Sequence, residues 1–154
     1  MREKWPKSAF LTDAWPMWGF AGAGTIGATT VAAALFYRSP AGEPFSPIFH
    51  FVSQLGEPGV SALAGVFNIG LVVGGSLLIP FMVLLGRQLG SVGQMAGFVC
   101  AICAALCACL GLIPMDHLRA HGAIAGWFFR SGLVAISLYS IALLLDRRRT
   151  LPRY

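Results

Sequence analysis

Four long apolar segments constrain the fold of this chain more than any other feature of its sequence. Each is long enough to cross a hydrocarbon core of about 30 Å, which takes about 20 residues of α-helix. These segments are apolar on every face and do not alternate between apolar and polar residues. This pattern excludes barrel strands and favours helices, whose backbone groups hydrogen-bond within the helix. The sequence therefore predicts membrane-spanning helices over about residues 14–37, 61–86, 91–114 and 121–145.

Composition supports a membrane protein rather than a soluble one. Of the 154 residues, 56% are hydrophobic and only 11% are charged, which is too few charges to cover the surface of a soluble domain. No composition shift marks a second domain. We predict an all-α, polytopic membrane protein with a single transmembrane domain over residues 1–154, built as a four-helix bundle in a lipid bilayer.

The connection between the first two spans contains a further apolar stretch. Four prolines argue against another span there, and the residues between them form about two turns with an apolar face, too short to cross a membrane. The sequence predicts a short interfacial helix over about residues 45–56. In the second span, Gly70 and Gly74 form a GxxxG pair that predicts close approach of a neighbouring helix.

The positions of the basic residues predict the orientation of the chain. Eight of them belong to the two tails and the second connection, whereas Arg38 and Arg119 belong to the other two connections. The positive-inside rule then places both termini in the cytoplasm, in an inner (plasma) membrane of the prokaryotic type. The net charge of +5 is explained by this topology, so we predict no nucleic-acid partner.

Arg130 is the charged residue inside the fourth span. An arginine stays protonated in a protein, and at membrane depth it needs a counter-charge, carbonyl groups, water or a ligand. Counted from the predicted helix ends at about 1.5 Å per residue, Arg130 lies roughly 13 Å deep and Asn68 of the second span roughly 10 Å deep. This coincidence predicts an outward-facing polar pocket in which Arg130 holds an anion and Asn68 orients it. The alternative is an internal ion pair of Arg130 with Asp116 or Glu57.

A polar turn before the fourth span allows several interpretations. Asp116 and His121 are predicted to line the mouth of the pocket, and Asp116 alternatively caps the fourth helix. Exposed imidazoles are also suited to proton handling. In a third interpretation His117 and His121 share a zinc ion, with Asp116 or His50 as a further ligand and water in an open position. Zinc is thus the cofactor of this alternative, whereas the favoured prediction has no cofactor.

Two segments resemble a known family. The segment FHFVSQLGEPG…AGVFNIGLVVGG resembles the S-x-L-G…F-N-x-G-x-x-x-x-G pattern of domain of unknown function 998, and GLIPMDHLRAHGAIAGWFF is similar to its G-x-x-P-x-D…H-x-x-x-x-x-x-F-F segment. This family is loosely similar to the Frag1/DRAM membrane group and has no settled activity. The resemblance implies that the signature positions matter, and these are Ser53, Leu55, Gly56, Asn68, Gly70, Pro114, Asp116 and His121.

These observations favour a non-enzymatic membrane protein whose polar pocket binds a small anionic or lipid-like ligand. The predicted ligand-binding residues are Arg130, Asn68, Asp116, His121, Ser53 and His50, and no catalytic residue is predicted. One alternative is a zinc-dependent intramembrane hydrolase. The other is an accessory subunit of a larger membrane complex, with a membrane-protein partner or a second copy of the chain.

Overall fold

The computed structural model describes residues 14–145, and these form an all-helical membrane protein. The four long helices are α1 (Trp15–Phe36), α2 (Ala64–Gln88), α3 (Gly90–Leu112) and α4 (Leu118–Leu145). All four are long and apolar enough to cross a membrane. The predicted fold class is thus confirmed, and each predicted span ends within three residues of a helix end.

The first three helices pack antiparallel through glycines. A Cβ atom on Gly22 would lie 2.9 Å from the carbonyl oxygen of Gly74, so α1 and α2 touch backbone to backbone. Gly75 of α2 is in equally close contact with the backbone of α3 at Ala104 and Ala108. The predicted close approach at Gly74 is confirmed, and it depends on residues without side chains on both helices.

The turn between α2 and α3 is very short. Leu89 alone separates the two helices, and Gly90 has a φ of +73°. A residue with a side chain adopts such a φ only at a cost, whereas glycine does so readily. The chain therefore reverses direction within two residues, and this holds α2 and α3 side by side.

Helix packing follows chain order, α1 on α2, α2 on α3 and α3 on α4. Between α1 and α4, extensive contact is absent from residues 14–145. The α3–α4 contact includes a hydrogen bond from Cys103 Sγ to the Phe128 carbonyl (3.5 Å), and Tyr139 Oη reaches across to the Met82 carbonyl of α2 (2.8 Å). Only 11% of the apolar window of α4 is buried, so this helix presents a wide face to its surroundings.

We call the end of the bundle formed by residues 37–63 and 113–117 the long-loop end. The helix predicted over residues 45–56 is divided there into one turn at residues 46–50 and a 3₁₀ helix, Val52–Gly56. Phe51, between the two, has an extended backbone and is the N-cap residue of the 3₁₀ helix. Its N–H donates to Gln54 Oε1 (2.9 Å). Beneath them lies a small core of Ala33, Tyr37, Leu55 and Phe67.

Candidate functional site

Asn68 attaches the long loop to α2. It lies four residues into the helix, and its Nδ2 donates to the carbonyl oxygen of Gly56 (2.9 Å). A Cβ on Gly56 would collide with the Asn68 side chain and lie 2.8 Å from the Phe67 ring, so the contact requires glycine. The Asn68 amide is therefore bonded within the protein and holds the 3₁₀ helix in place.

His121 has a comparable role in the connection between α3 and α4. Its side chain is buried, and its Nδ1 lies 2.7 Å from the carbonyl oxygen of Ile113. Because a carbonyl oxygen only accepts, Nδ1 carries the proton in this bond. The bond closes the turn that contains Asp116 and His117, whose side chains pair with each other at the surface (Oδ1 to Nδ1, 2.9 Å).

Ser53 and His50 also bond locally. Ser53 Oγ donates to Met115 Sδ (3.4 Å), which joins the two connections of the long-loop end. His50 Nδ1 accepts from the Ser46 N–H (3.1 Å), and its ring packs against Tyr37 with ring centroids 5.3 Å apart. An accepting Nδ1 means that the neutral ring carries its proton on Nε2.

The four residues predicted as alternative zinc ligands do not form a cluster. His117 Nδ1 is paired with Asp116, whereas the Nδ1 atoms of His121 and His50 bond to Ile113 and to Ser46. Within residues 14–145 there is no group of three or more His, Cys, Asp or Glu side chains placed to hold a metal ion. The geometry thus gives no support to the zinc interpretation.

Arg130 lies apart from the other predicted site residues. It is twelve residues into α4, about 18 Å along the helix, whereas Asn68 is only about 6 Å into α2. No hydrogen bond or ion pair of the described residues joins Arg130 to Asn68, Asp116 or His121. The structure therefore separates two features, a cluster of local bonds at the long-loop end and Arg130, which lies about 12 Å further along the helix direction.

The side chain of Arg130 is exposed on the outer face of α4. Its guanidinium lies over the Trp127 ring, 5.6 Å from the ring centroid, which is within cation–π range. Gly122 and Gly126 lie on the same side of the helix, two turns and one turn before Arg130, and a Cβ on either would meet nothing within 4 Å. We call Gly122, Gly126, Trp127, Arg130 and Val134 the Arg130 surface.

Two buried hydroxyl groups at the long-loop end were not predicted from the sequence. Tyr37 is fully buried and Ser61 is 7% exposed, and neither hydroxyl has a hydrogen-bond partner among the described residues. Burial, and secondly the charge of Glu57, raises the pKa of Tyr37 above its usual 10.0. Nothing in the local sequence marks these residues, because only the packing of residues 37–63 over the helix ends buries them.

Tyr37→Phe is expected to raise the free energy of unfolding by about 1 kcal/mol, because it removes a buried hydroxyl that bonds to none of the described residues. Tyr139→Phe is the matched control, since it deletes a hydroxyl that donates to the Met82 carbonyl, and it should lower stability by about 1 kcal/mol. Denaturant unfolding in detergent, followed by circular dichroism, measures both. A loss of stability in Tyr37→Phe comparable to that of the control contradicts the prediction.

The wild type and Tyr37→Phe should also differ in how their stability changes at high pH. Because the folded-state pKa of Tyr37 is raised, its contribution is fully present below the unfolded value of 10.0 and is lost as pH rises through the folded value. The wild type should therefore lose stability above pH 10 faster than Tyr37→Phe. Equal losses would contradict the assigned burial.

Most of this chain matches the model of a known protein family. The model of the family described as "Protein of unknown function (DUF998)" matches residues 25–154, most of the chain. The chain belongs to this family. The match includes every residue of the long-loop end and of the Arg130 surface, and it confirms the resemblance found in the sequence. No curated protein and no solved structure matches the chain. The looser similarity to the Frag1/DRAM group stays a prediction.

Proposed function

We propose that this DUF998 protein is a non-enzymatic accessory subunit that associates within the membrane with another membrane protein. The Arg130 surface is the proposed contact. The observation that carries the proposal is the exposed side chain of Arg130 on a membrane-spanning helix. Because α4 is 28 residues long, about 42 Å, and Arg130 lies about 18 Å from one end, the guanidinium is close to the middle of the helix.

An arginine at that depth is costly unless protein or water surrounds it. Insertion measurements give about 2.5–3.5 kcal/mol for an arginine at the centre of a spanning helix. Such residues face the interior of an assembly or a water-filled cavity. Arg130 faces away from the other helices of its own chain, which supports an assembly that includes a neighbour.

The long-loop end supports a ligand pocket less well. Its predicted residues are used to fasten the loops: Asn68 to Gly56, His121 to Ile113 and Ser53 to Met115. Arg130, the predicted anion-binding group, lies about 12 Å deeper than Asn68 by the helix rise. The geometry therefore favours the accessory role over a pocket for a small anionic or lipid-like ligand.

We further propose that the long-loop end faces away from the cytoplasm, in a prokaryotic-type inner membrane. The seven basic residues of the tails, together with Arg87 in the last turn of α2, support this orientation, because basic residues are retained on the cytoplasmic side. In this orientation the Arg130 surface begins just below the outer interface and continues to mid-membrane.

Photo-crosslinking in living cells tests the proposed function. Trp127→p-benzoylphenylalanine places the reactive group on the Arg130 surface, and Phe20→p-benzoylphenylalanine places it on the exposed face of α1 as a control. The expected result is an adduct of one defined mass from position 127, containing another membrane protein and lost when Arg130→Gln is added. Adducts only with lipid, or only with a second copy of the chain, would overturn the proposal.

A further inference from the structure

We infer that the partner presents to the Arg130 surface a transmembrane helix with one aspartate or glutamate at the depth of Arg130. This inference rests on the proposed accessory role and names the chemistry of the partner. It follows from the charges that the chain lacks at that depth and from the uncovered backbone beside Arg130.

The described part of the chain offers Arg130 no counter-charge. Its acidic residues are Glu43, Glu57 and Asp116, and all three lie in connections at the long-loop end, outside the four helices. A second copy brings a second Arg130 but no carboxylate from its own helices at residues 14–145. The guanidinium, whose paired N–H groups match the two oxygens of a carboxylate, is therefore left for an acidic side chain of a different protein.

Lipid phosphate fits this position poorly. Phosphates lie outside the hydrocarbon core, whereas Arg130 is about 18 Å from one end of α4 and about 22 Å from the other. The guanidinium is also held beside Trp127 rather than extended toward a helix end. The charge is thus positioned for a neighbour that reaches the middle of the membrane, which a spanning helix does.

Gly122 and Gly126 indicate how that helix approaches. Glycines at i and i+4 let two helix backbones come close, and most tightly packed glycines of this fold already contact a neighbouring helix, as Gly75 does. Gly122 and Gly126 do not, since a Cβ on either meets open space. At 100° per residue, Arg130 is turned only about 40° from Gly126. A helix packed over the glycine pair would therefore pass Arg130 one turn deeper.

A designed peptide tests the inference without knowledge of the natural partner. The probe is a spanning peptide of leucine and alanine with a single central glutamate, and the matched peptide has glutamine there. Both peptides are reconstituted with the full chain in phosphatidylcholine vesicles. Fluorescence energy transfer from a dye on the amino terminus of the chain to a dye on the peptide reports their association. We expect the glutamate peptide to bind about tenfold more tightly than the glutamine peptide.

Variants of the chain show whether Arg130 causes this preference. Arg130→Gln should remove it, whereas Arg119→Gln, in the first turn of α4, should retain it. Gly126→Leu should weaken binding of the glutamate peptide several-fold with Arg130 in place, and open space at this position lets the fold tolerate the change. Equal binding of the two peptides, or a preference that survives Arg130→Gln, overturns the inference.

The two tests fail independently of each other. If position 127 crosslinks to a membrane protein but the chain shows no preference for the glutamate peptide, the inferred carboxylate is wrong and the accessory role stands. If the peptide preference is present but crosslinking in cells yields only lipid adducts, the accessory role is wrong and the surface still prefers a carboxylate.

Discussion

Replacing Arg130 with leucine is expected to stabilise the isolated protein in a bilayer by about 2–3 kcal/mol. The side chain is exposed on a spanning helix and has no ion-pair partner among the described residues, so its removal leaves no charge behind and ends the cost of burying a guanidinium in lipid. Reversible unfolding in bicelles measures the change. The same substitution should abolish binding of the proposed partner, so stability and binding move in opposite directions.

The control for this prediction is Arg119→Leu, which removes a basic residue one position after the start of α4, near the membrane surface. Its effect on stability should stay below about 0.5 kcal/mol, as for most surface substitutions. A loss of stability in Arg130→Leu would show that the arginine pairs with an acid inside its own chain. That outcome would support the internal ion pair that was the alternative interpretation of the sequence.

Gly75→Leu is expected to prevent the native packing of α2 on α3. A Cβ at this position would lie 2.8 Å from both the Ala104 carbonyl oxygen and the Ala108 nitrogen, which are backbone atoms and cannot rotate away. The helices must separate to admit the side chain, and overpacking of this kind costs about 1–3 kcal/mol or more. The folded fraction in mild detergent, measured by size-exclusion chromatography and thermal unfolding, should fall sharply.

Gly24→Leu provides the matched substitution. Gly24 lies on the exposed face of α1, and a Cβ there meets nothing within 4 Å. Leucine also has a higher helix propensity than glycine, by about 0.5–1 kcal/mol, so this variant should be as stable as the wild type or more stable. If both leucine variants are equally destabilised, the effect comes from the loss of glycine flexibility rather than from the backbone contact at Gly75.

The four spans could be predicted from the sequence because length and hydropathy alone determine them. The rotation of each helix about its axis could not, since segments that are apolar on all sides carry no periodic signal for an inner face. The sequence therefore predicts that Arg130 lines an outward-facing polar pocket, whereas the structure exposes its side chain on the outer face of α4. The two depths also differ from the predicted ones, because α2 begins at Ala64 and α4 at Leu118, which makes Asn68 shallower and Arg130 deeper.

The long-loop end shows a second limit of sequence reasoning. The residues predicted there as a ligand site, such as Asn68 and His121, are brought to one end of the bundle, but their bonds are to backbone carbonyl groups of the loops. A family signature records that such positions matter and does not distinguish a ligand contact from a loop anchor. That distinction depends on partners distant in sequence, such as Gly56, which lies 12 positions from Asn68.

We expect the apolar side chains on the outside of the long loop to set the vertical position of the protein in the bilayer. Ile48, Phe49 and Phe51 are each more than 70% exposed and lie at the end of the bundle, where they can insert among lipid headgroups. Because α4 is about 12 Å longer than the hydrocarbon core, the bundle would otherwise slide along the membrane normal until Arg130 came closer to water. An anchored loop would oppose that movement and keep Arg130 at the level of the proposed neighbouring helix.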